Sequence, residues 1–393
     1  MPELMRMADE IGPERILHLY DPAAGMKAVV VVDTTVFGRA AGGTRMLPDI
    51  TTEEIVWLAR AMTYKYATFG FPAGGAKAGI WAAPGIHGEP RDAILRAFGN
   101  AVKPLFAAGV VGLGADMGTD ARDTAIFREA AGLPSRGSSL AREEKDGEPI
   151  EHHATGYGVV VAAEAACEFA GMALEGATVA IEGFGKVGGG VARYMAEAGA
   201  RVVAISNIDG AIYNNEEGLD VQKLLEARKK SGDRAVQEYE AAQHIDRAAI
   251  YSLPVDILVP GARPYVIEKN NVSQVRAKVI SSIANIPITD EAEEMLFQRG
   301  IYSVPDFISN IGGVVLGVVS AVGGTADDVF KSLRELVRPV TLEILASARK
   351  EGMSPRTLAV RRVRDKVLKA RTEKKAEISD AERLELYRQR LKI

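Results

Sequence analysis

Gly183-Phe184-Gly185-Lys186-Val187-Gly188 decides how half of this chain folds. An apolar run ending near Glu182 leads into it, and a helical stretch reaching Ala198 leads out, with Gly199 suited to the helix C-cap. The first glycine allows a tight turn, the second admits a pyrophosphate to the backbone, and the third lets helix and strand pack closely. The helix N-terminus then meets the anion. Spacing alone is weak evidence. Its strand–loop–helix–strand setting predicts a dinucleotide site at Gly183, Phe184, Gly185, Lys186, Val187 and Gly188.

Outward from this loop, short apolar strands at 178–181, 201–205, 256–259, 278–281 and 302–304 alternate with helical stretches. That rhythm predicts a parallel, doubly wound sheet. An acid about 20 residues past the last glycine would hold the ribose 2′-hydroxyl. The segment Ile205-Ser206-Asn207-Ile208-Asp209-Gly210 offers Asp209 and no Lys or Arg for a 2′-phosphate. NAD is expected rather than NADP.

Upstream, residues 28–32 read as a strand. Thr51 and Glu54 have capping-box spacing and start a helix whose apolar line is Ile55, Leu58 and Met62. Lys65 flanks that line. Pro72 and Gly74-Gly75 end the segment. Lys77 follows within Gly74-Gly75-Ala76-Lys77-Ala78-Gly79, where small neighbours let a ligand come close. This is not a P-loop, because Ala78 stands where Ser or Thr should bind magnesium. Asp116 sits in a glycine-rich turn, Gly112-Leu113-Gly114-Ala115-Asp116-Met117-Gly118, with Thr119 or Asp120 placed to cap the next helix.

The chain has 393 residues, 47% hydrophobic and 25% charged, with a net charge of −4. This excludes disorder and gives no basis for a nucleic-acid partner. One cysteine, Cys167, permits no intrachain disulfide and predicts a cytoplasmic home. The uncharged run 307–326 contains several glycines and reads as a buried helix, not a membrane span. The pair His152-His153, at the end of an aperiodic stretch 133–153, reads as solvated, and no metal site is expected. Residues 361–375 read as an amphipathic helix with a solvated basic face.

Together with Ala41-Gly42-Gly43-Thr44-Arg45-Met46-Leu47-Pro48, these segments resemble, in order and spacing, the glutamate/leucine/phenylalanine/valine dehydrogenases. Ala154-Thr155-Gly156, Val304-Pro305-Asp306 and Asn310-Ile311-Gly312-Gly313-Val314 extend the resemblance over roughly residues 25 to 320. It implies reversible oxidative deamination of an L-amino acid to a 2-oxo acid and ammonia. By resemblance, Lys65 binds the α-carboxylate with backbone near Gly42 and Gly43, Lys77 activates water, and Asp116 shuttles protons. Thr155, Asn207, Asp209, Ala262, Asn285 and Asn310 join the nucleotide loop in cofactor binding.

Two departures bear on the substrate. Glutamate-specific members carry a lysine where this chain has Ala41, and a serine, three residues past Val314, where it has Gly317. A buried γ-carboxylate without those partners costs several kcal/mol. The expected substrate is therefore apolar, of the Leu, Val, Ile or Phe class, in a pocket also touched by Asn285. The alternatives are a glutamate enzyme using another cation, with Arg45 a candidate, and a catalytically silent regulatory paralogue. Ser282-Ile283-Ala284-Asn285 also departs from the Glu-Gly-Ala-Asn of glutamate-type members.

The expected architecture is a substrate and oligomerisation domain (1–134) and a Rossmann-type NAD domain (152–308), with a cleft between. C-terminal helices (309–393) are expected to pack back on the first domain. Family members assemble as hexamers or octamers.

Overall fold

Val29, Val30, Val31 and Val32 are all fully buried, so the strand they form is covered on both faces. In the computed structural model, which describes residues 7–134, 140, 143–145, 147–373 and 378–393, two compact units form. The first comprises Met1–Ala141, Ser320–Val322 and Arg361–Ile393; the second comprises Arg142–Val319 and Gly323–Val360.

The first unit holds β1 (Arg15–Asp21), β2 (Met26–Val32), β3 (Ala40–Leu47), α1 (Thr52–Phe69), β4 (Gly74–Trp81), α2 (Gly88–Ala107), β5 (Val111–Ala115) and α3 (Ala121–Ala130). The strands form one sheet in the order β1-β2-β4-β3-β5. Side-chain alternation divides its two faces. Val30, Val32, Ala76, Ala78 and Ile80 face α2 and α3, where Phe98 and Phe127 meet edge to face at 5.5 Å. Val29 and Val31 face α1 through Ile55, Leu58 and Ala59.

Thr51 caps α1 by accepting the Glu54 N–H at 3.1 Å. The reciprocal half of the expected capping box does not form, because the Glu54 carboxylate turns to Arg45. A buried ionic cluster fixes the helix to the sheet. The Arg60 Nε–H reaches both Asp33 oxygens at 3.0 Å, and the Thr63 hydroxyl donates to Asp33 while accepting the Gly75 N–H at 3.1 Å.

The second unit holds β6 (Glu144–Lys145), β7 (Glu148–Pro149), α4 (Ile150–Phe169), β8 (Thr178–Glu182), α5 (Lys186–Glu197), β9 (Arg201–Ser206), β10 (Ala211–Tyr213), α6 (Val221–Ser231), β11 (Gln243–Ile245), β12 (Ile257–Val259), β13 (Val279–Ser281), α7 (Asp290–Gln298), β14 (Tyr302–Val304), α8 (Asp306–Ser309), α9 (Gly312–Ala321) and α10 (Ala326–Glu351). Its seven-stranded sheet runs β11-β10-β9-β8-β12-β13-β14. The five expected strands are parallel neighbours, and β10 and β11 extend the edge antiparallel. The chain leaves β8 first toward β9 and later returns to β12 on the other side. The crevice beyond Glu182 and Val259 is thus a topological switch point, where doubly wound sheets bind ligands.

Three expectations are corrected. The histidine pair is not solvated: His153 is buried in the first turn of α4, its Nδ1 2.8 Å from the Tyr194 hydroxyl, and His152 is half-buried beside Glu148. The run 307–326 is two short helices, α8 and α9; among the described residues no helix is long and apolar enough to cross a membrane. Residues 309–393 are not one body returning to the first unit. The apolar stripe of α10, with Leu333 and Val337, belongs to the second unit. Phe330 meets Tyr157 of α4 edge to face, and Arg334 pairs with Glu164. The first unit takes most of α11 (Pro355–Thr372), burying Val363 and Val367 against Ala67 and Ile11, and α12 (Asp380–Leu391). Of the stretch 133–153, residues 135–139, 141, 142 and 146 lie outside the described residues.

Glu293 of α7 is buried, and burial pushes its carboxyl up to about 7 against the pull of Arg356. The unfolded chain loses this proton first, near the ordinary 4.5 of a free glutamate. The stability it contributes is complete below that pH and declines as pH rises to about 7. Linkage sets the loss at about 3 kcal/mol. Glu293→Gln should flatten this slope in urea unfolding at pH 5 and 7.5; an unchanged slope would assign it to another group.

Candidate active site

Gly75, Lys77 and Gly79 alternate onto one face of β4. In register beside them stand Ala41 opposite Gly75 and Arg45 opposite Gly79, and across β3 Gly112 stands opposite Ala41. This is the face that α1 covers. A Cβ added at Gly75 would stand 2.5 Å from the Thr63 hydroxyl, so glycine there lets the helix lie on the strand. Lys77 rises among small residues and is only 5% exposed. Lys65, on α1, is 7% exposed.

Lys77 Nζ meets Asp116 Oδ2 at 2.9 Å, just past the end of β5. Arg45 Nε–H donates to the same oxygen at 3.2 Å, and its Nη1 pairs with Glu54 at 2.5 Å. Burial alone would raise the Asp116 carboxyl. Lys77 and Arg45 outweigh it and hold the group well below the usual carboxylate range. The site thus keeps a carboxylate clamped between two cations.

The Thr119 hydroxyl accepts the Asp116 N–H at 2.9 Å and donates to the Thr44 carbonyl at 2.7 Å, tying the turn to β3. Asp120, not Thr119, caps α3. A Cβ at Gly43 would stand 2.8 Å from the Asp116 Cβ, and one at Gly42 would strike the Ala76 carbonyl. Both glycines are therefore demanded by packing before any ligand enters. Arg45 is corrected in role: Glu54 and Asp116 occupy it, leaving it poorly placed to meet a substrate side chain. Thr119, one of the two cap candidates for α3, instead holds the Asp116 turn to β3.

The nucleotide loop has the expected form. Gly183 takes a positive φ of 89°, which favours glycine. A Cβ at Gly188 would stand 1.9 Å from the Gly183 carbonyl oxygen, so the third glycine brings helix against strand. Gly185 has nothing within 4 Å on its Cβ side, and no side chain caps α5 there. The exposed backbone N–H groups and the helix dipole fit a pyrophosphate. Phe184 is buried under the Arg228 guanidinium.

Glu182, buried at the end of β8, accepts hydrogen bonds from the N–H groups of Gly261 and Ala262 at 3.0 and 3.2 Å and from the Tyr251 hydroxyl. It clamps the β12 loop beside the glycine loop. A charged residue closing an apolar strand was the available signal. Ala262 reaches the site through this clamp. Asn207 is buried, with its amide bound to Gln237 and to the Asp233 carbonyl while its oxygen accepts the Asp209 N–H. It shapes the turn on which Asp209 stands exposed.

Asn310 donates to the carbonyls of Ile283 and Ala284 and to Asn285 Oδ1 at 3.0–3.2 Å, holding the segment that departs from the glutamate pattern. Gly312 packs against Thr155, bringing the Ala154-Thr155-Gly156 and Asn310–Val314 motifs together. On α9, Val314 is buried and Gly317 is exposed with open space around it. Among the described residues no cluster of His, Cys, Asp or Glu could hold a metal ion.

Residues 147–374 match the model of the glutamate/leucine/phenylalanine/valine dehydrogenase family, and residues 13–131 match its dimerisation domain. A glutamate dehydrogenase of Aeropyrum pernix is 34% identical over 313 residues, 76% of this chain and 73% of that protein. An NADP(+)-dependent glutamate dehydrogenase of Pyrobaculum calidifontis is 33% identical over 287 residues, 71% of this chain and 68% of its own. The hetero-hexameric glutamate dehydrogenase of Thermus thermophilus, in a Leu-bound form, superposes with a TM-score of 0.82 at 26% identity, covering 96% of this chain and 93% of that one. With two domain matches spanning most of its length and a fold to suit them, the chain belongs to the glutamate/leucine/phenylalanine/valine dehydrogenase family and is an amino-acid dehydrogenase that works with a pyridine nucleotide.

Proposed function

We propose that the substrate is L-glutamate, deaminated reversibly to the 2-oxo acid and ammonia. The chemistry rests on the buried Lys77–Asp116 pair at 2.9 Å. The choice of amino acid draws on the relatives named glutamate dehydrogenase and replaces the apolar expectation as the leading reading.

In this scheme Lys65 binds the α-carboxylate as a fixed cation. Asp116, kept ionised, accepts a proton from the substrate ammonium. The nicotinamide, when bound, supplies the hydride acceptor. Lys77 Nζ first releases its own proton to solvent; the free amine then takes a proton from the water that adds to the imine carbon, and Asp116 passes the proton it accepted to the departing nitrogen. Placed charges of this kind stabilise the developing carbinolamine. Asp209, on the turn that follows β9, favours a free ribose 2′-hydroxyl, hence NAD over NADP.

A second reading keeps the apolar substrates, because Ala41 and the open space at Gly317 leave room and no lysine or serine. Initial rates on L-glutamate, L-leucine, L-valine and L-phenylalanine, each with NAD and NADP, decide between them. Glutamate should lead with NAD; a tenfold preference for leucine or valine would reject this choice. The dimerisation-domain match also supports a homo-oligomer, checked by light scattering.

A further inference from the structure

Arg39 stands just before β3, half-buried. Its guanidinium lies against Gly112: a Cβ added there would be 3.1 Å from both Nε and Nη2. Gly112 is the register partner of Ala41, and ladder partners point to the same face. The long Arg39 side chain therefore runs beside the strand to the level of Ala41, on the face from which Lys77 rises. Glycine at 112 leaves it that space.

Among the described residues this guanidinium has no hydrogen bond or ion pair, whereas Arg45 on the same strand is held by Glu54 and Asp116. Burial raises the phenols of Tyr66, on α1, and Tyr387, on α12, and the Arg39 charge pulls both back down. A partly buried cation without a partner is unfavourable, and a carboxylate with two oxygens matches a guanidinium fork.

We infer that Arg39 recognises the distal carboxylate of the substrate, delivering from position 39 the cation that position 41 lacks. This rests on the glutamate reading above. Arg39 acts on specificity, since the chemistry at the α-carbon belongs to Lys77 and Asp116.

The test compares kcat/KM for L-glutamate and L-norvaline, which keeps the chain length without the carboxylate, in wild type, Arg39→Met, Arg39→Lys and the double variant Arg39→Met/Ala41→Lys. Arg39→Met should cut kcat/KM for glutamate about a hundredfold, mostly through KM, and change norvaline less than threefold. Arg39→Lys should keep part of the glutamate rate, and Ala41→Lys should restore it in the double variant. The inhibition constant of glutarate should rise in parallel. Wild type active on glutamate with an unmoved ratio in Arg39→Met overturns the role of Arg39 alone, as does an equal loss on both substrates. Wild type inactive on glutamate yet active on norvaline overturns the glutamate reading and this inference with it.

Discussion

Lys77→Met should lower kcat by about 10³- to 10⁴-fold, with nucleotide affinity within threefold of wild type. General acid–base catalysis by a positioned side chain contributes about 10²–10⁴. Lys77 also supplies one of the two cations that keep Asp116 ionised. Arg45 remains in the variant, so the carboxylate keeps a partner and the turn stays ordered. Asp116→Asn should cost a similar factor. Because the Asp116 carboxyl lies well below the usual range, the acid limb of the kcat/KM profile belongs to another group. Steady-state rates and fluorescence titration with the nucleotide check both. A Lys77→Met enzyme retaining more than a tenth of wild-type kcat would remove Lys77 from the reaction.

Arg60→Ala should destabilise the chain by about 3–5 kcal/mol, the cost of leaving a buried charge without its partner. Asp33 is fully buried and takes both of its charged contacts from the Arg60 Nε–H, which also reaches Asp9 and the Gly12 carbonyl through its other nitrogens. Burial pushes the Asp33 carboxyl up even with Arg60 in place. Arg60→Lys should recover little, because an ammonium cannot repeat the fork. Thr63 belongs to the same cluster and lies on the turn of α1 that carries Lys65, so loss of activity should accompany loss of stability. Urea unfolding measures the first effect, and KM for the amino acid the second. A change below 1 kcal/mol would mean that Asp33 is satisfied without Arg60.

Much of this protein was legible along the chain because the physics there is local. A glycine loop between strand and helix, a threonine three residues before a helical acid, and Gly75-Ala76-Lys77-Ala78-Gly79 alternating small and charged all act within a few bonds. They announced the glycine loop between β8 and α5, the start of α1 and the small residues that flank Lys77. The corrections came where a side chain had a choice of distant partners. Glu54 was expected to close its own helix cap and instead binds Arg45; His153 was expected in water and is buried on Tyr194.

The sequence by itself determined the two α/β units, the parallel sheet and the identity of the charged groups, because hydrophobic period and turn residues specify these within short windows. Only the tertiary structure decided which cation serves which anion. Asp116 takes Lys77 and Arg45, Asn310 holds 283–285, and Arg39 lies over Gly112, since pairing across strands depends on register and on which face a helix covers.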